Sequence, residues 1–92
     1  MLLYYSGENM EKIETKIAIV AVVISDADAV TKVNSIFHEF RDYVIGRLGI
    51  PYKQKCVNVI SVVLDAPNEV VNALSGKLGM VKGASSKVLI TK

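Results

Sequence analysis

With 92 residues, 51% of them hydrophobic, the chain is long enough for a single domain whose core is barely sufficient without a partner subunit. Its net charge of +2 is weak, Arg41 and Arg47 are its only arginines, and the lysines are spread from Lys12 to Lys92, so the basic stripe of a direct nucleic-acid binder is missing. One cysteine excludes an internal disulfide and fits a reducing cytoplasm, and no apolar run approaches the roughly 18 residues of a membrane helix.

In chain order, residues 1–14 read as a flexible tail. The opening MLLYYSGENM has a short apolar patch at residues 2–5 and no preceding basic segment, unlike a signal peptide, and residues 1–9 read as dispensable. Residues 15–92 then form one domain. Its first strand, residues 16–25 (KIAIVAVVIS), is nearly all apolar and β-branched, as befits burial on both faces. Ser25 and Asp28 form a capping-box variant with Asp26 as a rival N-cap, so a helix starts near Asp26. Val30, Val33, Phe37 and Phe40 follow at helical spacing, with Ile36 widening the stripe, and His38 falls on the opposite side, toward solvent or a partner.

Residues 43–50 (YVIGRLGI) read as a second strand, with a bulge or close approach at Gly46. Residues 49–55 (GIPYKQK) carry the glycine, proline and polar residues of a hairpin turn. The third strand, residues 56–65 (CVNVISVVLD), echoes the first, and Cys56 at its start reads as a small buried hydrophobe. Pro67 suits the first turn of a second helix, whose stripe is Val71, Leu74 and Leu78 and whose stop is Gly79 in a left-handed conformation. Residues 87–91 (KVLIT) close the chain as a fourth strand.

Val30, Val33 and Phe37 recur 41 positions later as Val71, Leu74 and Leu78, so the chain reads as two copies of one strand-helix-strand unit. The resulting β-α-β-β-α-β order predicts an α+β, ferredoxin-like sandwich, an antiparallel sheet with both helices on one face. Val57, Val59 and Val63 then lie on the face the helices leave bare, which predicts a homo-oligomer, dimer or tetramer, joined through the sheets.

No phosphate loop, paired-cysteine motif or nucleophile-base pair is present, so neither a cofactor nor an enzymatic activity is expected. The stretch from Gly46 to Lys53 places the groups of Arg47, Tyr52 and Lys53 around backbone bends, suited to gripping a carboxylate or another anion. With Asp26 and Asp28 at the first strand-helix junction, these are the candidate effector-binding residues. No metal site is expected within one subunit; Cys56, with His38 from a neighbouring subunit, is the candidate for an alternative metal- or redox-responsive module.

The segments IGRLGIPY and SGKLGMVKG, in their places between residues 17 and 91, resemble those of a family of small iron-only hydrogenase system regulators with an ACT-like fold. The resemblance implies a ferredoxin-like domain with a regulatory rather than catalytic role. The fold is also similar to the C-terminal domain of the nickel-responsive NikR repressors. Cys56 and Asp65 match that pattern's cysteine and aspartate, but its two histidine positions fall on Leu48 and Ile50, so the nickel site does not carry over. Residues 25–30 lack the Gly/Pro turn by which ACT domains meet amino acids. The segment before the first strand is also too short for a ribbon-helix-helix DNA reader. The expected protein is a cytoplasmic, non-enzymatic ACT-like regulator that oligomerises and binds a small effector or partner protein, with no membrane or direct nucleic-acid partner.

Overall fold

The computed structural model describes residues 3–6 and 11–91. Within the tail expected over residues 1–14, β1 (Leu3–Ser6) and β2 (Glu11–Glu14) pair antiparallel as a separate two-stranded hairpin, while positions 1, 2 and 7–10 lie outside the described residues. The domain proper runs β3 (Lys16–Ile24), α1 (Ala27–Glu39), β4 (Val44–Tyr52), β5 (Val57–Ala66), α2 (Asn68–Gly79) and β6 (Ala84–Ile90). Its four strands form one antiparallel sheet in the order β4-β5-β3-β6, the split βαβ arrangement of the ferredoxin-like fold. The two strands richest in β-branched residues are central, where both of their edges are paired.

Strand alternation decides what is buried. In β3, Ala18, Val20, Val22 and Ile24 point toward the helices and are buried, while Ile17, Ile19, Ala21 and Val23 point away and are exposed. In β5 the buried set is Ile60, Val62, Leu64 and Ala66. Against these, α1 lays Ala29, Val33, Phe37 and Phe40, and α2 lays Val71, Leu74 and Leu78, forming one contiguous core. Each large aliphatic side chain buried there contributes about 1.5–3 kcal/mol, so this single layer carries most of the fold's stability. The helices are joined at the surface by an ion pair between Lys77 and Glu39 and by the Lys77 ammonium 5.6 Å from the centre of the Phe40 ring. Both charged groups are about half exposed, so the pair adds little.

Several boundaries differ from the sequence expectation. The N-cap of α1 is Asp26, whose Oδ1 accepts a 3.0 Å bond from the Asp28 N–H. Ser25 does not cap. Its N–H and hydroxyl both donate to the Gly83 carbonyl, at 2.8 and 3.3 Å, tying the β3–α1 junction to the start of β6. Pro67 precedes α2 as its N-cap rather than sitting within its first turn. Gly79 stays helical and Met80 ends α2 with a right-handed backbone; the left-handed residue is Gly83, at φ +84°. The bulge expected at Gly46 is present as a register shift between Val44 and Gly46. β4 nevertheless continues through Gly49 and Pro51 to Tyr52, because it is an edge strand and proline's missing N–H need not interrupt a ladder on its free side.

A Cβ added to Gly83 would lie 2.4 Å from the Cβ of Asp26, and its positive φ already disfavours any side chain. Gly83→Ala is therefore expected to destabilise the fold by about 2 kcal/mol or more. Gly76, mid-helix with open space around its Cβ position, is the opposite case: Gly76→Ala should stabilise by up to about 1 kcal/mol. Urea unfolding of the two variants beside the parent checks both signs.

Candidate functional site

Three regions of the surface carry features that packing alone does not require. The first is the outer face of the sheet, opposite the two helices. Ile17, Ile19 and Val23 of β3, Leu48 and Ile50 of β4 and Leu89 of β6 are exposed there, Leu48 by 59% and Leu89 by 63%. Ile19 pairs with both Val63 and Leu89, and Ile50 with Val59, so these side chains adjoin across strands and form one apolar surface. Val57, Val59 and Val63, expected on this face, lie on it and are half-buried by their neighbours on adjacent strands.

The second region is a cleft of about 470 Å³ between α1 and the edge strand β4. From α1 come Asn34 and His38, four residues apart and hence on one helix face, and from the short 3₁₀ turn that follows the helix, Arg41–Tyr43, comes Arg41. From β4 comes Arg47, which pairs with Val62 and so points to the helix side of the sheet. The Arg47 guanidinium lies 5.4 Å from the centre of the Phe37 ring and one of its N–H groups donates to the Asn34 side-chain oxygen. Arg41 donates to the His38 carbonyl at 2.9 Å, which satisfies an orphan acceptor in the last turn of α1. No carboxylate lines the cleft, and among the described residues neither arginine forms an ion pair.

The third region is the β4–β5 hairpin. Tyr52 pairs with Val57, leaving four residues for the reversal. Lys53–Lys55 form a short 3₁₀ turn, and Cys56 closes it with a left-handed backbone at φ 52°. Cys56 is therefore exposed, correcting the expectation of a buried strand opener. A reversal of this length needs one residue with positive φ to aim the chain back along the sheet, and here the cysteine occupies that place. Its Sγ lies 3.7 Å from the Lys53 carbonyl.

The structure does not gather the expected effector residues into one site. Arg47 faces the helices, whereas Tyr52, five residues farther along, faces the open side of the sheet. Lys53 is in the hairpin turn, and Asp26 and Asp28 are engaged with each other at the start of α1. Cys56 is separated from the cleft holding His38 by the five residues of β4 after Arg47, about 17 Å of strand. Among the described residues, no group of three or more His, Cys, Asp or Glu is placed to hold a metal ion. Asp65 is buried and has an interaction partner within the fold. The sequence reading missed Asn34 and Arg41 as companions of Arg47; their spacing with His38 at i, i+4 and i+7 was the available signal.

Comparison with known proteins agrees with this architecture. Residues 16–88 match the model of the family described as "TM1266-like: Iron-only hydrogenase system regulator, putative". The chain belongs to this family. Among solved structures it is similar to the uncharacterized protein TM1266 from Thermotoga maritima, with 31% identity and a TM-score of 0.82, over 86% of this chain and 100% of that one. It also resembles a formyltetrahydrofolate deformylase from Pseudomonas putida KT2440, with 18% identity and a TM-score of 0.54, over 80% of this chain and 28% of that one, a likeness of fold alone. No curated protein matches. Within this TM1266-like domain, no described helix is long and apolar enough to cross a membrane.

The exposed turn position of Cys56 has a direct consequence. The native protein is expected to take up one equivalent of an aromatic disulfide reagent per chain without denaturant, at a rate within about tenfold of the urea-unfolded chain, as accessibility and not burial then governs the reaction. Labelling only after unfolding would contradict this placement.

Proposed function

We propose that this TM1266-like chain is a non-enzymatic, cytoplasmic regulatory domain that assembles as a homo-oligomer through the open face of its sheet and responds to a small effector or a partner protein. The system it would regulate is the iron-only hydrogenase system for which its family is described. The observation that carries the reading is the uncovered sheet face. An antiparallel sheet with one face packed and the other in water normally alternates apolar with polar residues. Here β3 places Ile17, Ile19, Ala21 and Val23 on the water side, an arrangement that suits a second sheet and not solvent.

The dimensions are compatible. Four strands at about 4.8 Å spacing, each several residues long at about 3.3 Å rise, give a flat projection on the order of 500 Å². The accessible area of such a face exceeds its projection and approaches the roughly 800 Å² that each partner buries in a standard interface. A regulatory role is favoured over catalysis by the surface chemistry: the three regions offer an apolar face, a cationic cleft and a lone thiol, and no paired nucleophile and base.

Light scattering at micromolar concentration is expected to give a mass of two or four chains, and Ile19→Lys or Leu48→Lys, each placing a charge on the open face, should reduce it to one. A mass of one chain for the parent protein would refute the assembly. The fold of either variant should survive, with a stability change below about 1 kcal/mol in the monomer, because neither side chain belongs to the core.

A further inference from the structure

We propose that the cleft between α1 and β4 binds a small organic oxyanion, a carboxylate or a phosphoryl group on a compact apolar body, through Arg47, Arg41, Asn34 and His38. The inference gives the effector of the proposed regulator a place and a chemistry, and in that respect it rests on the functional reading above.

Four observations converge on this cleft. First, both arginines of the chain line it, although they come from different elements and nine lysines are distributed elsewhere in the sequence. Arginine presents a planar fork of donors that matches a carboxylate or phosphoryl group in two-pronged fashion, which an ammonium does not. Second, the charge is uncompensated: the lining has no acidic residue, and the described ion pair on the adjoining helix surface, Lys77 with Glu39, involves neither arginine. Two guanidiniums lining one hollow with no carboxylate beside them favour an anion there.

Third, the donors are partly held in place and partly free. The Asn34 oxygen accepts from Arg47, so its amide N–H groups are left to donate, and the Phe37 ring supports the Arg47 guanidinium from one side. Arg41 spends one of its five N–H donors on the His38 carbonyl and keeps the others. Such anchoring fixes side chains that would otherwise lose rotamer freedom on binding. Fourth, the floor is apolar. Phe37, Val44 and Val62 line it, and a volume of about 470 Å³ is within the range of small-molecule sites. An adjoining hollow shares Asn34 and His38 and adds the hydroxyl-bearing Thr31 and Ser35, extending the polar rim along α1. Cationic donors above an apolar floor favour an organic anion over a fully hydrated inorganic one.

Titrations of the full chain with benzoate, phenyl phosphate and inorganic phosphate, followed by amide chemical shifts, test the proposal. The expected result is saturable binding of benzoate or phenyl phosphate, with shifts centred on Asn34, His38, Arg41 and Arg47. Affinity should fall about tenfold or more in Arg47→Gln and in Arg41→Gln, the loss of one charge-assisted hydrogen bond, and be unchanged in Lys53→Gln, which lies outside the cleft. Arg41→Gln carries the test should Arg47→Gln, which also leaves Phe37 and Asn34, unfold. Preference between the two organic ligands identifies carboxylate or phosphoryl as the source. Absence of saturable binding, binding of inorganic phosphate alone, or affinities equal in the arginine variants and the parent would overturn the site. Light scattering of the same samples keeps the two readings separable: an oligomer that binds neither organic anion removes only the site, and a monomer that binds one removes only the assembly.

Discussion

The constraint on which the rest of this structure depends is that two helices can cover only one face of a four-stranded sheet. The even-numbered residues from Ala18 to Ile24 of β3 and from Ile60 to Ala66 of β5 are sealed beneath α1 and α2, and that contact supplies the core. The odd-numbered residues of the same strands lie on the other face and, the buried Asp65 apart, are exposed or half-buried, yet remain largely aliphatic. A small domain thereby combines a well-packed interior with an apolar exterior of similar composition. That apolar exterior is the feature on which the proposed assembly of this TM1266-like chain rests.

The edge strand β4 is where the fold has freedom to differ from a plain sandwich. Being paired on one side only, it accommodates the bulge at Gly46 and the proline at position 51 without breaking the ladder to β5. The bulge changes the alternation, so that Arg47 turns toward the helices and comes to rest against Phe37, while Leu48 and Ile50 turn to the open face. One local irregularity thus assigns neighbouring residues to two different surfaces: the cationic cleft on the helix side and the apolar face on the other. Those surfaces lie back to back across a single layer of backbone, so an event in the cleft is mechanically adjacent to the face through which subunits would meet.

How much of this is legible in the sequence follows from the range of the forces involved. Strand and helix identity depends on periodicity and on residues within one turn, and the alternation of KIAIVAVVIS and the stripe Val33, Phe37 and Phe40 state it directly. The pseudo-repeat linking Val33 and Phe37 to Leu74 and Leu78 added the topology. Cap and turn assignments were less legible because several residue types compete for the same few positions. Ser25 has the chemistry of an N-cap but found a carbonyl partner 58 residues away, at Gly83. Cys56 has the hydropathy of a strand residue but was placed by the geometry of the chain reversal.

By itself, then, the sequence determined the α+β class, the order of elements, the apolar character of both faces of the central strands and the lack of a local catalytic motif, because each is a property of composition or of short-range spacing. Only the tertiary structure decided which residues share a surface. It separated Arg47 from Tyr52, joined Arg47 to Asn34, His38 and Arg41, brought Gly83 against Asp26 and set Cys56 in solvent. These are contacts between elements whose relative placement is fixed by sheet register and helix packing, quantities that no stretch of the chain encodes alone.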